Sequence, residues 1–258
     1  MLKFVLRYLS AISVLTALIA NAQTATTVRS GNGAVGGTDS AVTFLQGPGD
    51  SDFANAFTAT DFSNAQNGPA AFIAARNSAW ITGLSEDPSA QWIGTNPNAA
   101  YSGGTALYAI NVGVPDAFST ATLTLHYAVD DNLGGIHAGG VNPGVFLNGT
   151  YVCVNLVPVG TFSAEQTINC NDIAQVLNVG DNWLYFDAVN LEAGAGLLFS
   201  ATITTSQTPS MPSINSGGVV NAASYTAPVA PGSIAAAYGD FLLGSPSEAL
   251  AIPLPTNI

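Results

Sequence analysis

Asp130-Asp131-Asn132 are the residues of this chain best suited to chemistry. Two carboxylates and an amide oxygen stand where a β-rich run gives way to the glycine-rich residues 133–143. Such oxygens suit a hard cation, and Ca²⁺ takes six to eight of them, so Ca²⁺ is the one cofactor these residues suggest. Three adjacent residues cannot all face one ion without backbone carbonyls or a second loop. The alternative is Asx-turn chemistry, in which the side chains cap their own backbone. Trp80, Trp92 and Tyr101 offer flat apolar faces on which a sugar ring could stack. The competing role for large aromatics is to fill a core or cover the edge of a sheet.

Catalytic patterns are missing. His126 and His137 are isolated, and no Gly-x-Ser-x-Gly elbow is present to support a Ser/His/Asp set. A glycosidase needs two carboxylates roughly 5–9.5 Å apart. Sixteen acids always allow some pair, and Glu86, Glu165, Glu192 and Glu248 lie in no recognisable motif. The expectation is therefore no enzyme, with a glycoside hydrolase as a minor alternative. Cys153 and Cys170 are the two cysteines, with sixteen residues between them. In an exported chain they are expected to form a disulfide, worth about 3 kcal/mol in the chain-entropy picture. The alternative is two separate thiols; without a nearby His or third Cys they do not make a zinc set.

The elements that must position these residues are strands. In residues 121–130, Leu123, Leu125, Tyr127 and Val129 share one parity, and Thr122, Thr124 and His126 take the other. That period of two marks a strand with one buried face. Tyr108, Ile110 and Val112 give another, stopped by Pro115, and Leu197, Phe199, Ala201 and Ile203 a closing one. Between Val145 and Leu156 two β-rich runs meet at Asn148-Gly149, the pair suited to a type I′ hairpin. Residues 172–177 predict one helical turn or two, and residues 179–190 start at Gly180-Asp181-Asn182 and enter a strand. Residues 46–68 read as loop and short strand pieces. Residues 70–76 are compatible with a helix on propensity and equally with a strand.

Phe146-Leu147-Asn148-Gly149, the Asp172-Ile173…Leu177 segment, and Gly180-x-Asn182-x-Leu184-x-Phe186 ending at Asn190 together resemble the galactose-binding-like jelly roll. That sandwich occurs in many carbohydrate-binding modules and in accessory domains of glycosidases. The resemblance implies an all-β fold, an antiparallel β-sandwich over residues 23–206, and says almost nothing about the ligand. After a linker at residues 207–213, Gly218-Val219-Val220-Asn221-Ala222-Ala223-Ser224, followed by Ala230-Pro231-Gly232-Ser233 and Tyr238-Gly239, resembles the opening of a C-terminal domain of secreted acidobacterial proteins. Such domains continue for many more strands. Residues 214–258 are thus expected to be a truncated module or a short β-rich appendage resting on the sandwich.

Composition bounds the partners. Of 258 residues, 48% are apolar and only 8% charged, with 27 Gly and 14 Pro, which points to strands and turns. Lys3 and Arg7 precede a shorter apolar run and the small-x-small site Ala20-Asn21-Ala22, so residues 1–22 read as a secretory signal. A membrane anchor would need roughly 20 uninterrupted apolar residues, and Ser10, Ser13 and Thr16 interrupt this run. Beyond Ala22 the chain carries two bases against sixteen acids, a net charge of −14. Nucleic acid is an unsuitable partner for it, since phosphate neutralisation needs clustered Lys and Arg. No membrane insertion is expected after cleavage. The expectation is a secreted, extracellular bacterial module that binds a neutral polysaccharide or a cell-surface glycan, at the loop end of residues 130–142 with Trp80, Trp92 or Tyr101 as platforms. The alternative from another class is a structural module of a cell-surface assembly with no small ligand.

Overall fold

The computed structural model describes residues 23–137, 140–142, 144–152, 161–207 and 213–240. The expectations for the signal segment, for Cys153 and for residues 241–258 lie outside the described residues. Those described fall into two compact units, residues 23–207 and residues 213–240.

In the larger unit, strand β1 (Gln23–Arg29) is followed by β2 (Thr38–Gln46), helix α1 (Ala59–Gln66), β3 (Ala70–Ile73) and β4 (Ile93–Gly94). Next come the long strands β5 (Ala106–Val114) and β6 (Thr120–Asp130). Short pieces follow: β7 (Asn132–Leu133), β8 (Gly135–His137), β9 (Gly140–Asn142), β10 (Val145–Leu147), β11 (Thr150–Tyr151) and β12 (Gln166–Cys170). Strands β13 (Gly180–Val189) and β14 (Gly196–Ser206) complete the unit. One layer runs β11-β10-β13-β5-β2; the other runs β12-β6-β14, with β1 on the far side of β14. Strands β3 and β4 carry the ladder from β2 to β14 around one corner, and every described pairing is antiparallel.

Alternation explains why the layers close on each other. Leu123, Leu125, Leu184, Phe186, Phe199 and Ile203 are all buried, and Phe186 of one layer meets Phe199 of the other with ring centroids 4.5 Å apart. Each such side chain contributes roughly 1.5–3 kcal/mol by leaving water. This is the antiparallel β-sandwich that the sequence led us to expect.

Both outer faces are also covered, and this decides where the functional residues sit. Leu107, Ala109 and Tyr185 on the outside of β5 and β13 are roofed by Phe62 and Ala65 of α1. That helix corrects the expectation of loop and strand pieces in residues 46–68. Thr58 caps it: its hydroxyl accepts from Asp61 N–H, while the Asp61 carboxylate accepts from the Thr58 backbone N–H at 2.8 Å. The outside of β6 and β14, at Ala128 and Leu198, is roofed by Trp80, Leu84 and Trp92 from the segment between β3 and β4. Residues 70–73 are a strand, and residues 172–177 reduce to a single turn in which Leu177 N–H donates to Ile173 O at 3.2 Å.

In residues 213–240, β15 (Ser213–Asn221) and β16 (Ala235–Asp240) form a two-stranded antiparallel ribbon, with the register shifting between Ile214 and Val219. Ile214, Val219, Tyr225, Ile234 and Tyr238 of this ribbon are exposed. No helix among the described residues is long and apolar enough to cross a membrane.

Candidate functional site

The covering segment is clamped before it reaches the site. Arg29 Nε lies 2.9 Å from Asp87 Oδ2, and Ser200 Oγ donates to the same carboxylate oxygen at 2.9 Å. Ser30 Oγ donates to Gln91 O at 2.8 Å, and Gln91 Nε2 returns to Gly31 O at 2.6 Å. Asp39, buried at the start of β2, accepts from Gly31 N–H at 2.6 Å and Ala41 N–H at 2.8 Å. These contacts press Trp80 and Trp92 onto β14 at Gly196, where a Cβ would come within 2.6 Å of the Trp80 ring and 3.1 Å of the Trp92 ring. A side chain at Gly196 would lift both indoles off the sheet.

Trp80 and Trp92 are consequently core residues, each about 3% exposed, with ring centroids 4.2 Å apart. Trp92 Nε1 donates to Ile81 O at 3.0 Å. The expectation that either ring serves as an exposed stacking platform is corrected: burying both apolar faces left none open to a sugar. Tyr101 differs, being 69% exposed.

What Trp80 does instead is donate its indole N–H to Asp130 Oδ2 at 2.7 Å, at the end of β6. The two line a depression of ≈ 230 Å³ together with Asn77, Asp131, Phe162 and Glu192. Asp131 Oδ2 accepts from Leu191 N–H at 2.7 Å, which fixes the carboxylate against the β13–β14 connection. Asn77 Oδ1 accepts from Ala79 N–H at 3.0 Å, and its Nδ2 donates to Ala100 O at 3.0 Å, the residue before Tyr101. Ala195 N–H donates to Ala99 O at 2.8 Å and Gly103 N–H to Ala193 O at 3.2 Å, so the Tyr101 loop is stitched to the wall of the depression.

The electrostatics follow from this crowding. Burial pushes the Asp130 carboxyl up to about 7; the charges of Asp131 and Glu192 push the same way, and the Trp80 hydrogen bond opposes them. Near neutrality Asp130 is thus divided between its protonated and ionised forms, and the protonated form can donate as well as accept.

The expected trio is split. Asp130 and Asp131 share the depression, and Asn132 is outside its lining. Asn132 starts β7, which pairs with the end of β13 at Val189, next to Asn190. The Oδ1 atoms of Asn132 and Asn190 are both buried without a hydrogen-bond partner. Asn190 is otherwise held by donating Nδ2 to Gly49 O at 2.6 Å and N–H to Thr105 Oγ1 at 2.9 Å. An amide oxygen lacking a donor is a kind of ligand a hard cation takes, but Asn132 pairs opposite Val189, so Asn190 leaves on the other face of the ladder and the two do not make one ligand set. Among the described residues no group of three or more His, Cys, Asp or Glu could hold a metal. His126 faces Glu165, with Nδ1 3.0 Å from Oε1, rather than any metal set.

Asn77 and Phe162 escaped the sequence reading, and Glu192 entered it only as an acid outside any recognisable motif. Asn77 and Glu192 lie on loops without periodicity and Phe162 in the 3-10 turn Thr161–Ser163, and the antiparallel pairing of Gly196 with Asp130 brings Glu192 to the depression. Cys170 is buried at the end of β12, and its expected partner Cys153 lies outside the described residues.

No family model matches this chain, and neither does any curated protein. Among solved structures it is similar to the module titled CBM35 from Cellvibrio japonicus Abf62, at 16% identity and a TM-score of 0.31, over 66% of this chain and 99% of that one. It is also similar to a family 35 carbohydrate binding module from Clostridium thermocellum, at 15% identity and a TM-score of 0.29, over 51% of this chain and 86% of that one. The fold assignment rests on the strand pairing and the buried faces described above.

Proposed function

We propose that residues 23–206 are a secreted, non-catalytic module that binds a neutral glycan at the loop end of the sandwich. The observation that carries this reading is the exposed Tyr101, set by Asn77 beside a polar depression holding Asp130, Asp131 and Glu192. A Tyr ring supplies an apolar face and a polar tip, and carboxylates accept from sugar hydroxyls. No base lines the depression, so an anionic polymer would meet only repulsion there. The reading includes export by cleavage after Ala22, a Cys153–Cys170 disulfide, a cell-surface or extracellular polysaccharide as partner, and a β-rich appendage after the 207–213 linker.

The test is a glycan array on the exported protein, followed by titration of the best hit into the Tyr101→Ala variant. Binding should weaken about tenfold, or about 1.4 kcal/mol, with an unchanged melting temperature. An array with no hit would favour the structural-module reading instead.

One observation favours a second reading. A carboxyl that keeps its proton to about pH 7 beside another carboxyl has the properties of a glycosidase general acid. Release of reducing ends from any bound glycan would establish that reading; binding without release would support the module.

A further inference from the structure

A second groove, of ≈ 500 Å³, lies between α1 and the Asn148–Gly149 turn, toward the opposite end of β13 from the acidic depression. That volume is within the range of about 300–1,000 Å³ typical of small-ligand sites. Its walls are built and fixed. Asn148 occupies the left-handed region at φ 52° and spends its whole amide on the fold. Its Nδ2 donates to Val176 O and to Asn182 Oδ1, each at 2.8 Å, and its Oδ1 accepts from Trp183 N–H at 3.0 Å. Gly149 follows at φ 82°, and a Cβ there would lie 3.3 Å from the Phe62 ring, so glycine lets the turn close against the helix. On the other side, Thr43 Oγ1 donates to Ala65 O at 2.7 Å and anchors the last turn of α1.

The floor is aromatic. Phe62 and Tyr185 rings lie 4.7 Å apart and Phe57 and Phe62 rings 5.8 Å apart. Polar atoms stand above it. Gln66 Nε2 donates to the hydroxyl of the buried Tyr185, which fixes the Gln66 side chain at the wall of the groove. Ser63 and Asn178 offer side-chain groups at the rim, and both residues are exposed. All of the lining residues are uncharged, in a chain that carries sixteen acids.

We propose that this groove is a second binding site, separate from the loop end, for one uncharged sugar residue. Phe62 and Tyr185 are buried, so the half-buried Phe57 ring is the one that takes the apolar face of the sugar, and Ser63, Gln66 and Asn178 exchange hydrogen bonds with its hydroxyls. Selectivity for a neutral ligand follows from energetics. A carboxylate entering this groove would lose hydration and find no cation to compensate it.

The experiment is titration of the exported full chain with glucose, galactose, mannose, xylose and galacturonate, followed by amide and side-chain NMR shifts. At least one neutral sugar should move the signals of Ser63, Gln66 and Asn178 with a dissociation constant on the order of 1–10 mM. Galacturonate should not move them. Gln66→Ala should weaken that response about tenfold. Ser63→Trp, at an exposed position, should fill the groove and abolish the response while the fold is retained, and it decides the matter if the first variant unfolds. Tyr101→Ala should leave these shifts unchanged, which separates this site from the loop-end reading. No shift at these residues with any neutral sugar overturns the proposal, as does equal binding of galacturonate or persistence of the response in Ser63→Trp.

Discussion

Trp80 donates its indole N–H to the carboxylate of Asp130 at 2.7 Å, from a ring otherwise sealed between the covering segment and β14. One bond therefore joins the packing of an outer face to the most perturbed acid of the loop end. It explains why a tryptophan that resembles a sugar platform in the sequence is instead a strut. The indole supplies apolar area to the cover, and its single donor meets the one oxygen that burial makes costly to leave unpaired.

The Asp130–Trp80 pair predicts a pH dependence of stability. Its folded value near 7 lies above its ordinary value of 3.8, so the folded state binds the proton more tightly than the unfolded chain does. Stability from this group is full below about pH 4 and is lost as pH rises through about 7. After allowing for solvent screening the loss is about 1–2 kcal/mol. Asp130→Asn keeps an acceptor for Trp80 and should flatten this part of the curve, melting higher than wild type at pH 8. Equal slopes for the two proteins between pH 5 and 8 would refute the assignment.

Calcium provides a second test. A ligand specific to the folded state stabilises it by RT ln(1 + [L]/Kd), about 2.7 kcal/mol at a hundredfold excess over Kd. Added Ca²⁺ should raise the melting temperature and a chelator reverse the rise. Asn132→Ala should abolish the response, because the Asn132 Oδ1 is buried without a hydrogen-bond partner. Identical melting curves with Ca²⁺ and chelator would end the cation idea.

The cysteines give the third. Exported protein should take up no thiol label before reduction and two labels after it. Cys170→Ser should cost about 3 kcal/mol through the loss of a sixteen-residue loop closure, with any polar mismatch at this buried position adding to it. Free-thiol labelling of native, unreduced protein would exclude the bridge.

Much of the fold was legible because alternation is local. Leu123, Leu125, Tyr127 and Val129 declare their buried face at a spacing of two, and they are buried in the structure. Asn148-Gly149 declares its turn, with both residues at positive φ. Helix α1 was legible in principle through the Thr58…Asp61 capping box, but its weak apolar stripe, with only Phe62 and Ala65 buried, hid it among polar residues.

The sites were less legible. Residue types alone named Tyr101 only as one of three aromatic candidates with Trp80 and Trp92, and Asp130 and Asp131 only together with Asn132. Whether Trp80 and Trp92 face water, which loop supplies Glu192, and whether Asn132 joins its neighbours depend on contacts between residues tens of positions apart. Asn77 reaches Ala100, Trp80 reaches Asp130, and Leu191 reaches Asp131 only after β6 and β14 have paired. By itself the sequence determined the strands, their buried faces and the acidity, since these follow from period and composition, and the sandwich was what its resemblance to the galactose-binding-like jelly roll implied. Only the tertiary structure decided that Trp80 and Trp92 are buried and that the loop-end acids converge, because loops have no period and take their positions from the strands that hold them.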